Sequence, residues 1–309
     1  MSRNAKEVKI GFIGLGAMGL PMAKRVAQAG YQLYTTFHHR REPADELRAI
    51  GADLVPAPKD VAKEADVVIT ILPADAELRE AVFGPAGILK TFAAGKVLVE
   101  MTTGTPLVVQ EVAAAIRSAG GDVLDAPVSG GTTAAEQGTL TIMAGGDTSV
   151  LERCRLLLET MGTRIVHVGP VGQGKVVKIV NQMMAAIHLL AIGESFTLGV
   201  RCGADPRVLY EVIKNSSGYS KMMDLRLPGF LFEGSFQPGF KLDLMKKDVN
   251  LALESASAMG IPLHLCAEAA QVFAAASAAG KGNEDFSAVA QFLASLSGVQ
   301  LSSTKDTKA

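Results

Sequence analysis

A chain of 309 residues, 48% hydrophobic and 20% charged, has the material for two domains with cores of their own. Its net charge of −1 excludes the broad electrostatic footprint that nucleic acid or an anionic membrane surface demands. Cys154, Cys202 and Cys266 are odd in number, far apart, and lack CxxC or zinc spacing. That excludes a disulfide framework and a zinc centre, and predicts buried free thiols in a reducing compartment, the cytoplasm by default.

In chain order, Val8 to Ile13 is a short apolar run suited to a buried parallel strand. Gly14-Leu15-Gly16-Ala17-Met18-Gly19 follows at once, and a helix then runs to Gly30. The basic start at Lys6 and the apolar run to Ala23 also suit a secretory leader, but the glycine spacing explains the stretch better. Strand, GxGxxG and helix in that order form a dinucleotide-binding fingerprint. Gly14 permits the tight turn, Gly16 lets a pyrophosphate approach the backbone, and Gly19 lets helix and strand pack closely. The phosphates would sit on unpaired amides at the helix N-terminus. A glycine-rich turn without a ligand is the bland alternative, and the flanking strand and helix disfavour it.

The second strand, Gln32 to Phe37, ends where an NAD site usually places an acid for the ribose 2′-hydroxyl. Here the chain reads His38-His39-Arg40-Arg41, with no acid before Glu42. Guanidinium binds phosphate in a charge-assisted fork, so NADP(H) is favoured over NAD(H). A solvated basic turn is the alternative. Which of the four touches a 2′-phosphate is open, with Arg40 first.

Strand signals recur at Asp66–Leu72, Lys96–Glu100, Gly121–Ala126, Thr139–Ala144 and Arg164–Val168, with helical stretches at Ala74–Val82, Pro106–Ala119 and Val150–Met161. This alternation predicts an α/β Rossmann domain over residues 1–170, a doubly wound and mostly parallel sheet. Ligands then lie off the C-terminal strand ends, where Leu72-Pro73, Thr102-Thr103 and Ser129-Gly130-Gly131 fall. Ser129 is in no G-x-S-x-G elbow, so a hydrolase nucleophile is disfavoured. A serine before two glycines makes either a nest of amides suited to a carboxylate or a plain loop.

Beyond Val171 the strand signals vanish, which predicts an all-α domain over residues 171–301, joined by a long helix over 174–200. Near its start Lys178, Asn181 and Gln182 share one arc of the surface, since residues three and four apart face the same way. The rest of that helix is Val, Ile, Met, Ala and Leu and looks set for burial. Lys178 therefore either snorkels to water or does chemistry. Lys178, Asn181, Gln182, His188 and Glu194 interrupt the apolar run and disfavour a membrane span.

Asp205-Pro206 caps a helix to about Lys214. Gly218 to Gly239 is irregular and is expected to wrap a helix or two against the cleft, and helices are predicted over Lys241–Met259, Leu263–Ala279 and Asp285–Leu296. Ser302 to Ala309 reads as a disordered tail. Lys246-Lys247-Asp248 on its own suggests an ordinary solvated face. His188 reads as a packed core histidine, and no metal-ligand spacing is present.

Taken together, Gly11 to Gly19, Asp125 to Gly131, Gly172 to Asn181 and the pair Lys247-Asp248 resemble the β-hydroxyacid dehydrogenase family, over Ile10 to about Leu296. The resemblance implies that Lys178 is the general acid/base and that Ser129, Gly130 and Gly131 hold a substrate carboxylate. It also implies that Thr103 contacts the nicotinamide half, that Lys247 lies by the cofactor and that Phe240 walls the pocket. Many members carry Asn-Asn at the third and fourth positions after the lysine. Here the pair is Asn181-Gln182, which leaves open which of them supports Lys178. Decarboxylating relatives carry a glutamate seven residues after the lysine, where this chain has Ala185, so a simple dehydrogenase or reductase is implied.

The chemistry suits these residue types. Hydride reduction of an aldehyde creates an alkoxide that a positioned ammonium can protonate. In the reverse direction the amine must be neutral, which requires lowering its pKa by about 2–3 units from about 10.4. The function implied is NADP-linked interconversion of a small semialdehyde or keto acid and its hydroxy acid. An imine reductase and a non-catalytic NADP-binding scaffold are the alternatives. Relatives of the first kind usually lack the lysine, and the second has no need of Lys178, Asn181 and Ser129 together. An alanine-rich helical half, and the resemblance, imply a homodimer or homotetramer.

Overall fold

The computed structural model describes residues 7–302. The tail reading at Ser302–Ala309 therefore lies, apart from Ser302, outside the described residues. Two compact units emerge, one up to Lys178 and one from Ile179.

The first unit alternates strand and helix: β1 (Ile10–Ile13), α1 (Gly19–Gln28), β2 (Leu33–Thr35), α2 (Glu42–Ala49), β3 (Asp53–Leu54), α3 (Pro58–Glu64), β4 (Val67–Thr70), α4 (Asp75–Phe83), β5 (Val97–Glu100), α5 (Pro106–Ser118) and β6 (Asp122–Asp125). These six strands are parallel and lie in the order β3-β2-β1-β4-β5-β6. That is the doubly wound dinucleotide-binding order, which reverses direction between β1 and β4. Every residue of β1, β4 and β5 is buried, because helices cover both faces of a parallel sheet. Each fully buried Val or Ile there contributes about 1.5–3 kcal/mol.

The sheet continues through β7 (Val128–Ser129), α6 (Gly131–Gln137), β8 (Leu140–Gly145), α7 (Thr148–Leu158) and β9 (Gly162–Gly169). β8 runs antiparallel to β6 and β7 and parallel to β9. The sheet is thus mostly parallel, as expected. The two-residue strands β3 and β7 and the short helices α3 and α6 are too brief to leave a periodic signal.

Helix α8 (Gln173–Arg201) is one continuous element of 29 residues, and the division between the units falls within it. By length and composition it could cross a membrane. Ala186, Leu189, Ile192 and Phe196 instead lie in the core of the helical unit, which accounts for its apolar make-up. Burial is one-sided, contrary to the sequence expectation: Val176, Val177, Val180, Met184 and Leu198 are exposed. His188 is half-buried rather than packed in the core.

The second unit continues with α9 (Pro206–Ile213), α10 (Lys221–Arg226), a π-turn at Leu227–Leu231, α11 (Leu242–Ala258), α12 (His264–Ala276) and α13 (Ala288–Ser295). Asp205 caps α9 by accepting from Arg207 N at 2.8 Å and Val208 N at 3.0 Å, worth about 1 kcal/mol. Cys154 and Cys266 are buried, but Cys202 is exposed just past α8, so the expectation of three buried thiols fails there.

Candidate functional site

Between β1 and α1 the three glycines differ in what their missing side chains allow. Gly14 has φ +104°, and a Cβ on it would stand 2.0 Å from the Ile71 carbonyl oxygen. A Cβ on Gly19 would stand 1.9 Å from the Gly14 carbonyl oxygen. Both glycines are therefore demanded by the turn and by helix–strand packing. Gly16 is different: nothing lies within 4 Å of the place its Cβ would take. Its openness serves no contact within the fold and suits the close approach of a ligand. Helix α1 has no side-chain cap and no acid in its first turn, so its positive end is left for an anion. Leu15 and Met18 are half-buried and Ala17 is exposed along this loop.

Beyond β2, Thr36 is buried and its hydroxyl has no partner among the described residues; the same holds for Thr70 at the end of β4. His38, His39, Arg40 and Arg41 are all exposed. The two imidazoles lie 3.8 Å apart. Arg41 pairs with Asp45 at 3.2 Å, and Arg40 lies 3.8 Å from Glu42. Exposed pairs of this kind are worth under about 1 kcal/mol, so they hold neither arginine firmly. An open glycine, an uncapped helix start and a basic turn after β2 are features that fit a phosphate-bearing dinucleotide.

At the C-terminal ends of β4, β5 and β6, Thr70, Glu100 and Asp125 stand in register as one row, each fully buried. Asp125 accepts from Gly172 N and Lys175 N, both at 2.9 Å, and so ties the start of α8 to the sheet. Burial raises its carboxyl above the ordinary range, while the Lys175 charge and the two amide bonds oppose that rise. Lys175 is itself 1% exposed and pairs with Glu100. Its ammonium also donates to the carbonyls of Glu100 and Thr102. Removing one partner of such a buried pair costs about 3–5 kcal/mol.

Sequence reasoning passed over this pair, because 75 residues separate its members. The available signals were an acid closing an apolar strand and a second lysine one turn before Lys178. Glu100 also accepts from Thr102 N at 2.8 Å, and Thr102 Oγ1 accepts from Leu72 N at 3.0 Å. Leu72 and Thr103 are half-buried, and Pro73 is exposed. Lys178, one turn beyond Lys175, is 7% exposed, so it does not stretch into bulk water.

Ser129 closes β7 and is half-buried, and α6 begins at Gly131. Gly130 at φ +140° and Gly131 at φ +71° occupy backbone conformations that L side chains rarely adopt. The serine hydroxyl is thereby followed by amides on a sharply turning backbone, a form that can receive a carboxylate.

In the helical unit Asn181 is exposed and Gln182 buried. Asn181 Nδ2 donates to Gln182 Oε1 at 3.1 Å, and Gln182 Nε2 donates to Asp248 Oδ2 at 2.7 Å. Asp248 is 1% exposed, and its other oxygen lies 3.0 Å from the Lys247 ammonium. The Lys246-Lys247-Asp248 run is thus no solvated face. Lys246 pairs with Asp243 on the same helix, and Asp248 turns inward. Phe240 is half-buried, set edge-on to Phe286 at 5.7 Å. Its amide donates to Asp285 at 3.2 Å. Asp285 also takes Gly239 N, Ser287 and the Arg226 guanidinium, and so fixes the end of the irregular segment.

Two family descriptions cover most of the chain. The NAD binding domain of 6-phosphogluconate dehydrogenase matches residues 9–169, and the NAD-binding domain of NADP-dependent 3-hydroxyisobutyrate dehydrogenase matches residues 172–293. The 2-(hydroxymethyl)glutarate dehydrogenase of Eubacterium barkeri is 39% identical over 96% of this chain and 98% of its own length. The chain belongs to the β-hydroxyacid dehydrogenase family.

It is therefore a nicotinamide-dependent oxidoreductase of the class that acts on the CH–OH group of hydroxy acids. The 2-hydroxy-3-oxopropionate reductase of Escherichia coli K12 is 37% identical over 93% of this chain and 97% of its own. Among solved structures, Mycobacterium tuberculosis 3-hydroxyisobutyrate dehydrogenase with L-serine superposes with a TM-score of 0.86 at 34% identity, covering 93% of this chain and 99% of the other.

Proposed function

We propose that this dehydrogenase uses NADP(H) to interconvert a small semialdehyde or keto acid and its hydroxy acid, with Lys178 as general acid/base. The observation that carries the proposal is a lysine of 7% exposure in the second turn of α8. A long cationic side chain is seldom kept from water without a task for it. When bound, the nicotinamide cofactor supplies or accepts the hydride. In the direction of reduction the Lys178 ammonium donates a proton at the substrate oxygen, where negative charge develops. In the direction of oxidation the neutral amine takes the hydroxyl proton.

Ser129, with the amides of Gly130 and Gly131, holds the substrate carboxylate. Thr103 orients the reacting end, and Phe240 excludes water from its apolar side. Asn181 and Gln182 orient the substrate hydroxyl without adding charge, and Lys247 lies by the cofactor. Gly14 to Gly19 carry the pyrophosphate. Arg40, Arg41, His38 and His39 select the 2′-phosphate, a reading supported by the lack of an acid in the turn before Glu42. The relatives' names, a reductase of 2-hydroxy-3-oxopropionate among them, support a short carboxylic-acid substrate.

The protein assembles as a homodimer or homotetramer in the cytoplasm. Support for assembly is the run of exposed apolar side chains at Val180, Met184, Leu198, Val208 and Val212 of the helical unit. The test of function is NADPH oxidation with a panel of short semialdehydes and keto acids. Turnover of at least one panel member is expected, and no turnover of any despite tight NADPH binding would refute the proposal.

A further inference from the structure

Lys175 and Glu100 take no part in the chemistry just described, for at 1% and 0% exposure neither reaches a substrate. We propose that this buried pair is the positioning device for Lys178: it fixes the first turn of α8 on the end of β5 and thereby the place of the acid/base one turn on. The inference rests on the reading of Lys178 given above.

The hydrogen bonds form a closed set. The three acceptors of the Lys175 ammonium are the Glu100 carboxylate, the Glu100 carbonyl and the Thr102 carbonyl. An ammonium carries three donors, so none is left over. The second carboxylate oxygen of Glu100 takes Thr102 N at 2.8 Å, and Thr102 in turn takes Leu72 N through its hydroxyl at 3.0 Å. From the neighbouring strand, Asp125 holds the backbone amide of Lys175 itself. The side chain and the main chain of one residue are thus anchored to two adjacent strand ends. Any rotation or slide of the first turn of α8 must break this set, and a rigid helix passes such a shift on to Lys178.

Stability alone is a poor explanation for the pair. Well-packed apolar side chains of the same volume would serve the fold as well or better. What they would lack is directionality, since dispersion contacts tolerate a small slide and a fully subscribed ion pair does not. Misplacing a reacting group by about 1 Å can cost about 10²-fold in rate.

The experiment compares the parent with the double variant Glu100→Gln/Lys175→Met, the single variant Glu100→Gln, which keeps the side-chain shape, and Lys178→Ala. NADPH affinity, kcat and the pH profile of kcat are measured for each, with thermal unfolding as control. The proposal expects the double variant to fold and to bind NADPH within about twofold of the parent. Its kcat should fall about 10²-fold, and the pH profile should move. Glu100→Gln should change in the same direction by less.

Parent-like kcat and pH profile in both pair variants, with Lys178→Ala inactive, overturn the positioning role while sparing the function. Parent-like turnover by Lys178→Ala overturns both. A fall in kcat matched by an equal loss of NADPH affinity, with the pH profile unmoved, makes the pair a general structural element and overturns the proposal. Failure of both pair variants to fold does the same.

Discussion

Gln182 donates to Asp248 across 2.7 Å, and both side chains are buried. Its carbonyl oxygen meanwhile accepts from Asn181 at 3.1 Å. These two bonds fix the Gln182 carboxamide within the helical unit, and with it Asn181. A hydrogen bond to a charged acceptor contributes about 1.5–3 kcal/mol to the fold, and a group it holds can cost about 10²-fold in rate when misplaced by about 1 Å. Asp248→Asn, nearly the same shape without the charge, should loosen Gln182 and Asn181 and lower kcat/KM by about 10-fold or more, up to about 10²-fold. Steady-state kinetics with unfolding curves check this, and unchanged kinetics in a folded variant would count against it.

The glycine loop allows a cleaner separation of fold from binding. Gly16→Ala meets nothing within 4 Å, so its unfolding temperature without cofactor should match the parent, within the about 0.5 kcal/mol usual for surface changes. Its Kd for NADPH should rise about tenfold or more, because the methyl stands where a pyrophosphate approaches. Gly19→Ala drives a methyl against the Gly14 carbonyl and should destabilise the protein before any ligand is added, by about 1–3 kcal/mol. Equal effects of the two on the unliganded fold would contradict this division.

Cofactor choice is testable at the turn after β2. Arg40→Ala/Arg41→Ala removes two exposed guanidinium groups whose own pairs are weak. Isothermal titration should show Kd for NADPH rising about tenfold or more and Kd for NADH changing by less than about twofold. Tighter binding of NADH than NADPH by the parent would overturn the preference itself.

The thiols give a prediction with a pH sign. Burial pushes the Cys154 thiol up from 9.0 to about 12, and burial also raises Cys266. Only the exposed Cys202 should react quickly with a thiol reagent at pH 8, against three thiols after denaturation. Cys154 titrates higher folded than unfolded, so its protonated form stabilises the fold. That contribution is whole below about pH 9 and is lost as pH rises toward 12. Cys154→Ala should flatten the decline of stability over that window. Fast labelling of two or three thiols in native protein would contradict the burial.

What the sequence disclosed was what is local. Gly14, Gly16 and Gly19 sit within six residues of one another, and a strand and a helix flank them, so the turn at Gly14 and the close packing at Gly19 could be read from spacing. Asp205-Pro206 declared its cap in the same way. Lys175 and Glu100 are 75 residues apart, and Gln182 and Asp248 are 66 apart. Nothing in either neighbourhood says that an acid at a strand end meets a lysine on a later helix. Asp248 even sits in a charged run that looks solvated until α11 turns it inward. The apolar face of α8 misled in the opposite sense, since composition cannot tell a buried stripe from an exposed one when both are Val and Met.

The most direct test of the account is Lys178→Met, assayed for NADPH binding and for kcat on the best substrate of the semialdehyde panel. NADPH affinity is expected within about twofold of the parent, with kcat lowered about 10²- to 10⁴-fold, the usual worth of a positioned acid or base. A folded variant that binds NADPH and turns over at the parent's rate would contradict the account.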